Sequence, residues 1–514
     1  MNAPLFVPRF FLPAMLAATL LGGCATTATG DARGSAPSAL AAPVAPGLAT
    51  VRFDEMKARL EAAAAAPHAT MVEFGRSVES RPLLGLEVLG PPGDDEWRVL
   101  LFGLQHGDEP AGKDALVVLA ERLASDRSLA APGARVLIVP MINPDGGEQD
   151  QRRNAASFDL NRDHLLLSQP ETRALHALAR SFQPHVAVDC HEFTRDSSDY
   201  RALGFSEWPL IMMDSANNAT HPDALFHLGL DWVESAAPAM KALGHNYCRY
   251  HVGGPPPFAE LRPSTTENDD ARNGLGALGA LSFIIESGVM RSAPDPSADL
   301  HERVSAYLVL LGRFANPPAE LRARSLAAVE AARSAPAPAS IPTNVFWGSL
   351  DPRAGEWPVI DLASGRERVV PAYNLMDDRV IKKRVPTPMA YVIPPAHAAK
   401  FAPWLEAHGL PHEVLSAPRQ VPVEKVRLVR IEEEVDEVYE RYDGRLITMC
   451  EEAQMMMLEP GALWVQVEGI DGARAAMLME PQRLYGLYEW PEWRALAGAD
   501  GELPVWRVAR PQGR

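Results

Sequence analysis

Up to residue 317 the chain alternates short, unbroken apolar runs with longer segments whose apolar positions recur at helical spacing. The short runs include Val99, Leu100, Leu101 and Phe102, then "RVLIVPMI" at 135–142, "HVAVDC" at 185–190 and "LSFIIES" at 281–287. β-Prone runs with almost no charge suit strands covered on both faces of a parallel sheet. Two more strands are predicted near 70–74 and 84–89. The periodic segments at 53–65, 115–123, 170–182, 223–243 and 300–314 predict amphipathic helices. Strand and helix in alternation predict an α/β fold: a mostly parallel mixed sheet with helices on both faces, over residues 51–317.

Beyond that point the pattern changes. A helix at 319–333 and the Pro-rich break "SAPAPASIPT" form a connector over 318–343. From 344 to 514, short alternating runs such as "MAYVIPP", "EKVRLVRI", "ALWVQV" and "RAAMLME" predict a β-rich accessory domain, with a helix interposed at 398–408. At the other end, Arg9 precedes the apolar stretch "FFLPAMLAATLL" and then "GGCATT", the layout of a secretory signal over residues 1–24. Its end, Leu21, Gly22, Gly23 and Cys24, resembles the bacterial lipobox, in which the Cys is lipidated; an ordinary cleaved signal is the other reading. With Ala25 after Cys24, the resemblance implies an outer-membrane lipoprotein facing the periplasm, held to the membrane by its lipid alone. Residues 25–50 are small and Pro-rich and read as a disordered tether.

With 514 residues the chain is too long for one core. A net charge of −17, with no run of Lys and Arg interleaved with aromatics, excludes nucleic acid as the expected partner. There are four cysteines; if Cys24 is acylated, Cys190, Cys248 and Cys450 remain, too few for a disulfide framework. A Cys190–Cys248 bridge and a buried Cys190 thiol are both open.

The candidate chemistry starts at "LFGLQHGDEPAGKDALVVLAERL", 101–123, where a predicted strand turns into a predicted helix. Ligand sites of open α/β sheets lie at the carboxyl ends of strands. His106 and Glu109 in that turn can converge on a metal, because neutral imidazole and carboxylate are both zinc ligands. His191 follows another strand and supplies a third ligand if the two strands are parallel neighbours. Two His and one carboxylate also suit non-haem iron. Glu286 directly follows apolar residues, where an unpaired carboxylate is costly, so it calls for a metal, a cation or a proton nearby. Between them, "MINPDGGEQDQRRNAASFDLNRDH" offers Arg152, Arg153, Asn161 and Arg162, either as surface ion pairs or as donors to a carboxylate or oxyanion.

Taken in order, His106-Gly-Asp-Glu109, "NPDG", "RRN", "DLNRD", "DCHE" and "IIESG", with "GRSVESRPL" upstream at 75–83, resemble the zinc carboxypeptidases of the M14 class over residues 53–314. The resemblance implies one zinc per chain held by His106, Glu109 and His191, with Glu286 as general acid/base. It implies Arg152 at the scissile carbonyl, with Arg153 adjacent. Asn161 and Arg162 would grip the substrate carboxylate, and Asp159 would orient His106. Three positions depart from the family pattern. No Tyr lies in the span 258–280, where a substrate-covering Tyr is usual and where Arg272 and Asn273 stand as candidates to approach the site. Asp163 and Ser157 replace a usual Asn and Gly.

The implied activity is removal of a C-terminal residue from a peptide. The missing Tyr keeps a zinc-dependent deacylase of N-acyl amino acids, as in the aspartoacylase branch, as the alternative. A catalytically silent binding lipoprotein is the third reading, against which Glu286 argues, since binding needs no base.

Overall fold

Alternate residues of the central strands enter two different cores. Val99 and Leu101, Val136 and Ile138, and Val186 and Val188 join one core with helices Phe53–Ala63, Pro110–Ser125, Asp223–Ala242 and Pro296–Ala315. Leu100 and Phe102, Leu137 and Val139, and Ala187 join the other with helices Pro170–Phe182 and Ala271–Gly276. Side chains of a strand point alternately to its two faces, so this division means a sheet covered on both sides. The structure, a computed structural model, describes residues 40, 50–256, 260–348, 355–372, 375–376, 378–432 and 445–510. Cys24, the signal segment 1–24, and the segment 25–50 apart from Leu40 and Thr50 lie outside the described residues.

The sheet runs in the order Ala69–Arg76, Pro82–Leu89, Ala134–Val139, Trp97–Gly103, Val186–Thr194, Leu281–Val289, Ile211–Ser215, Tyr247–Arg249. Its four central strands, from Ala134–Val139 to Leu281–Val289, are parallel, and antiparallel pairings flank them. This is the mixed α/β sheet predicted from the apolar runs. The strands Ile211–Ser215 and Tyr247–Arg249 were not legible in that pattern, because they are short and carry Asp214 and Arg249.

Beyond the helix Ala319–Ser334, a six-stranded sheet packs with helix Pro395–His408. The stretch "RAAMLME" is not a strand but lies mostly in helix Gly469–Met479. Ala, Met and Leu are strong helix formers, and Ala475, Ala476, Leu478 and Met479 bury into the same core as Phe401 and Trp404. That core also takes in Leu165 and Leu166 from the first region. Trp404 Nε1 and His408 Nε2 both donate to the Leu165 carbonyl, at 3.0 and 2.9 Å, and strand Gly355–Asp361 pairs with Phe205–Glu207. Leu40, inside the expected tether, is 1% exposed: it sits against Gly312, where a Cβ would come within 3.0 Å of it, and Arg122 donates to its carbonyl. Among the described residues no helix is long and apolar enough to cross a membrane.

Candidate active site

Three adjacent parallel strands carry the candidate residues at their carboxyl ends, the edge where open α/β sheets bind ligands. His106 and Glu109 occupy the turn after Trp97–Gly103, with Pro110 opening the following helix. The turn is tightly constrained. Leu104 is buried with φ of 55°, a left-handed conformation that costs a non-Gly residue on the order of 1–3 kcal/mol. A Cβ at Gly107 would lie 2.2 Å from the Gly146 carbonyl carbon, so only glycine lets the "NPDG" loop approach. That loop is tied in turn to the hairpin at 75–83: Asp145 accepts from Ser77 Oγ at 2.8 Å and from Glu79 N at 2.9 Å.

His191 and Glu286 are direct neighbours in register on their two strands, with Asp189 and Ile284 paired one step earlier on the same face. His191 Nε2–H donates to Asp189 Oδ2 at 2.7 Å, and His106 Nε2–H donates to Asp159 Oδ1 at 3.0 Å. Each neutral imidazole is therefore left with a bare Nδ1, and the two Nδ1 atoms face each other at 3.1 Å. Glu109 lies between them, Oε1 2.7 Å from His106 Nδ1 and Oε2 2.9 Å from His191 Nδ1. Two lone pairs and a carboxylate converging in a buried space demand positive charge. Burial opposes charge on both imidazoles, yet Glu109 with Asp159 raises His106, and Asp189 with Glu109 raises His191 well above the usual range. Burial also works against the Glu109 charge, but the imidazoles hold its carboxyl far below the usual range. A bound cation satisfies the same demand without protons. The ligand atoms of His106, Glu109 and His191 lie within 4.8 Å of one another, and two imidazole nitrogens with one carboxylate fit zinc with an open position.

Glu286 is buried, and burial pushes its carboxyl up to about 7, against the pull of His191. Its Oε2 has no hydrogen-bond partner among the described residues. The Tyr250 hydroxyl interacts electrostatically with Glu286, Arg272 and Arg162. Tyr250 follows strand Tyr247–Arg249 and is pinned by its N–H on the Met213 carbonyl at 3.0 Å. The sequence offered no signal for it within the window of 258–280, because it comes from a different element.

Arg152 reaches the cluster: its Nη1 is 3.1 Å from His106 Nδ1 and 3.3 Å from Glu109 Oε1, and its Nη2 donates to Asp159 at 2.9 Å. Its side chain is 44% exposed, open to an incoming molecule. Arg153 points the other way, with Nη1 donating to the Ser157 carbonyl of its own exposed loop. Asn161 is buried and braces the site from below: its Oδ1 accepts from Ala271 N and Gln105 Nε2, and its Nδ2 lies 3.2 Å from His191 Nε2. Arg162 donates to the Asn161 carbonyl. Arg272, expected as a substrate contact, is only 1% exposed. It donates to the Thr265 carbonyl and Asp270, with Asp214 3.7 Å away, so the protein's own acids take its charge. Asp163 accepts from Ser168 and Gln169, and Ser157 takes φ of 60°, the conformation for which glycine is usual.

Residues 56–195 match the family described as zinc carboxypeptidase, Peptidase_M14. Over this segment the chain is similar to the zinc carboxypeptidases. Carboxypeptidase 2 of Trichophyton rubrum is 31% identical over 202 residues, which is 38% of each chain. Carboxypeptidase SOL1 of Arabidopsis thaliana is 30% identical over 139 residues, 24% of this chain and 28% of its own length. The chain thus spans well under half the length of these curated relatives. A metallo-carboxypeptidase from Burkholderia cenocepacia superposes with a TM-score of 0.41 at 20% identity, over 52% of this chain and 69% of that one. The structure also contains a polar relay behind the candidate metal ligands that sequence reasoning missed. Gln105 Nε2 donates to Asp189, its Oε1 accepts from His164 Nε2–H at 2.8 Å, and His164 Nδ1 accepts from His176 Nε2–H at 3.0 Å. Asp189 was legible in principle, since position i−2 on a strand shares the face of His191.

Proposed function

We propose that the chain is a zinc-dependent metallocarboxypeptidase that hydrolyses the C-terminal peptide bond of peptides. The observation that carries this reading is the pair of bare imidazole nitrogens with Glu109, beside a buried Glu286 whose outer oxygen has no hydrogen-bond partner. Bound by His106, Glu109 and His191, zinc would supply an acidified water and a polarised carbonyl. Glu286 takes a proton from the attacking water and passes it to the leaving amine, a task for which a carboxyl raised to about 7 is suited. Arg152 donates to the oxyanion that develops at the scissile carbonyl, and Arg162 receives the substrate's free carboxylate. Asp159 and Asp189 hold the two imidazoles in the tautomer that ligates. Tyr250, against Glu286, covers the bound residue in place of the Tyr missing from 258–280.

We further propose lipidation at Cys24 and an address in the bacterial envelope, facing the periplasm, on the strength of the signal-like segment and "LGGC". The test is release of free amino acids from a mixed peptide pool and, in parallel, hydrolysis of small N-acyl amino acids, each with and without a chelator. Chelator-sensitive release from peptides is expected. Turnover of N-acyl amino acids alone would move the reading to a deacylase, and no turnover of either by the zinc-loaded protein would overturn it.

A further inference from the structure

The catalytic face of the sheet holds a second group of reactive side chains. Register pairs His191 with Glu286, Glu286 with Met212, and Met212 with Cys248, one row across four adjacent strands. Paired neighbours in a sheet point to the same face, so Cys248 shares the face of Glu286 two strand spacings away, about 10 Å. Cys190 is paired with Ile285 and lies in the core on the opposite face, which rules out a bridge to Cys248. The Cys248 Sγ lies 3.8 Å from His251 Nδ1, and His251 Nε2 lies 3.5 Å from Glu207 Oε2. The imidazole is 9% exposed, wedged edge-on against Trp357 at 4.7 Å between ring centroids, and its Nε2 has no hydrogen-bond partner among the described residues. Cys248 is half-buried.

A thiol, an imidazole and a carboxylate in sequence form the arrangement that activates a sulfur nucleophile. We propose that Cys248 is a nucleophilic thiol, activated by His251 and Glu207, that takes up small disulfides, and that the adduct obstructs the cleft of the peptidase inferred above. The obstruction rests on that functional reading; the thiol chemistry does not. In the reaction the Cys248 proton moves to His251 Nδ1, leaving a thiolate beside an imidazolium whose far N–H faces Glu207. The thiolate attacks one sulfur of the disulfide, a new Sγ–S bond forms, the old S–S bond breaks, and the departing thiolate takes the proton from His251. One disulfide is consumed and one is made, so no further oxidant is needed. Burial opposes charge on His251, but the contacts with Cys248 and Glu207 raise it to about 10, which favours the imidazolium. Burial pushes the other two described thiols, Cys190 and Cys450, up, Cys450 to about 11. Tyr250, two residues from Cys248, interacts electrostatically with Glu286, so bulk on this strand bears on the base.

The probe is oxidised glutathione, added to the full chain, with adducts mapped by mass spectrometry over time. Cys248 is expected to be modified about tenfold or more faster than Cys450, and His251→Gln to slow it by a similar factor. Glu207→Gln, on a half-buried position, provides a second variant if His251→Gln unfolds, and a smaller slowing is expected. Equal rates at Cys248 and Cys450, or wild-type rates in folded variants at both His251 and Glu207, would overturn the activated thiol. Peptide hydrolysis is read on the same samples: the adduct should abolish it in the wild type and leave Cys248→Ser untouched. Full hydrolysis by the adducted wild type would overturn the obstruction alone.

Discussion

At the scale of single residues, the division of labour around the metal cluster yields separable effects. His106→Ala and His191→Ala should each lose the metal, read as a fall from one zinc per chain in elemental analysis. Glu286→Gln should keep the metal and lower kcat by about 10²–10⁴-fold, the usual range for general acid–base catalysis. Asp189→Asn leaves His191 in place but removes the carboxylate that fixes its tautomer. Its zinc affinity should drop about 10–100-fold, as measured by competition with a chromogenic chelator. The candidate ligands and base were legible in the sequence because His106 and Glu109 fall in the turn after an apolar strand and His191 and Glu286 close apolar runs. Asp189, Gln105 and Tyr250 were not singled out, because a polar residue within or just after a strand looks the same in sequence whether it braces a ligand or not.

At the scale of elements, the site is held by the close approach of two loops. Gly107→Ala would drive a Cβ into the Gly146 backbone, and the neighbour is main chain rather than a flexible side chain. Overpacking of this kind typically costs about 1–3 kcal/mol, so thermal unfolding should show a lower Tm together with weakened zinc binding. The long, periodic helices and the central strands follow from the apolar pattern, since burial on one stripe or on both faces leaves a clear period. The helix Gly469–Met479 was misread because a short, nearly uniform run of Ala, Met and Leu carries no period of two or of 3.6.

At the scale of the whole molecule, residues 344–514 are built into the first region. Leu165 and Leu166 belong to the core formed by Phe401, Trp404 and Trp493. A chain ending at residue 343 would expose that apolar surface, and size-exclusion chromatography should find it aggregated rather than monomeric. The same junction holds His164, His176 and His408, where burial pushes the first and last down to about 3. In the native state these rings stay neutral, whereas in the unfolded chain they protonate below about 6.5. Their contribution to stability is therefore complete above about pH 6.5 and is lost as the pH falls from there towards 3. Tm should drop between about pH 7 and 4.5, and less steeply in His408→Gln, which keeps a donor for the Leu165 carbonyl.

The sequence by itself determined the alternation of strands and helices, the chemistry of the ligand set and the order in which its members occur. These are written in local patterns: the period of apolar residues, the turn glycines, and a polar residue closing an apolar run. Tertiary structure alone decided which strands lie side by side, and with that the facing of His191 and Glu286, the choice of Arg152 over Arg153, the arrival of Tyr250 and the row that ends at Cys248. Register and loop approach depend on contacts between residues distant in the chain, and such contacts leave no period in the sequence to read.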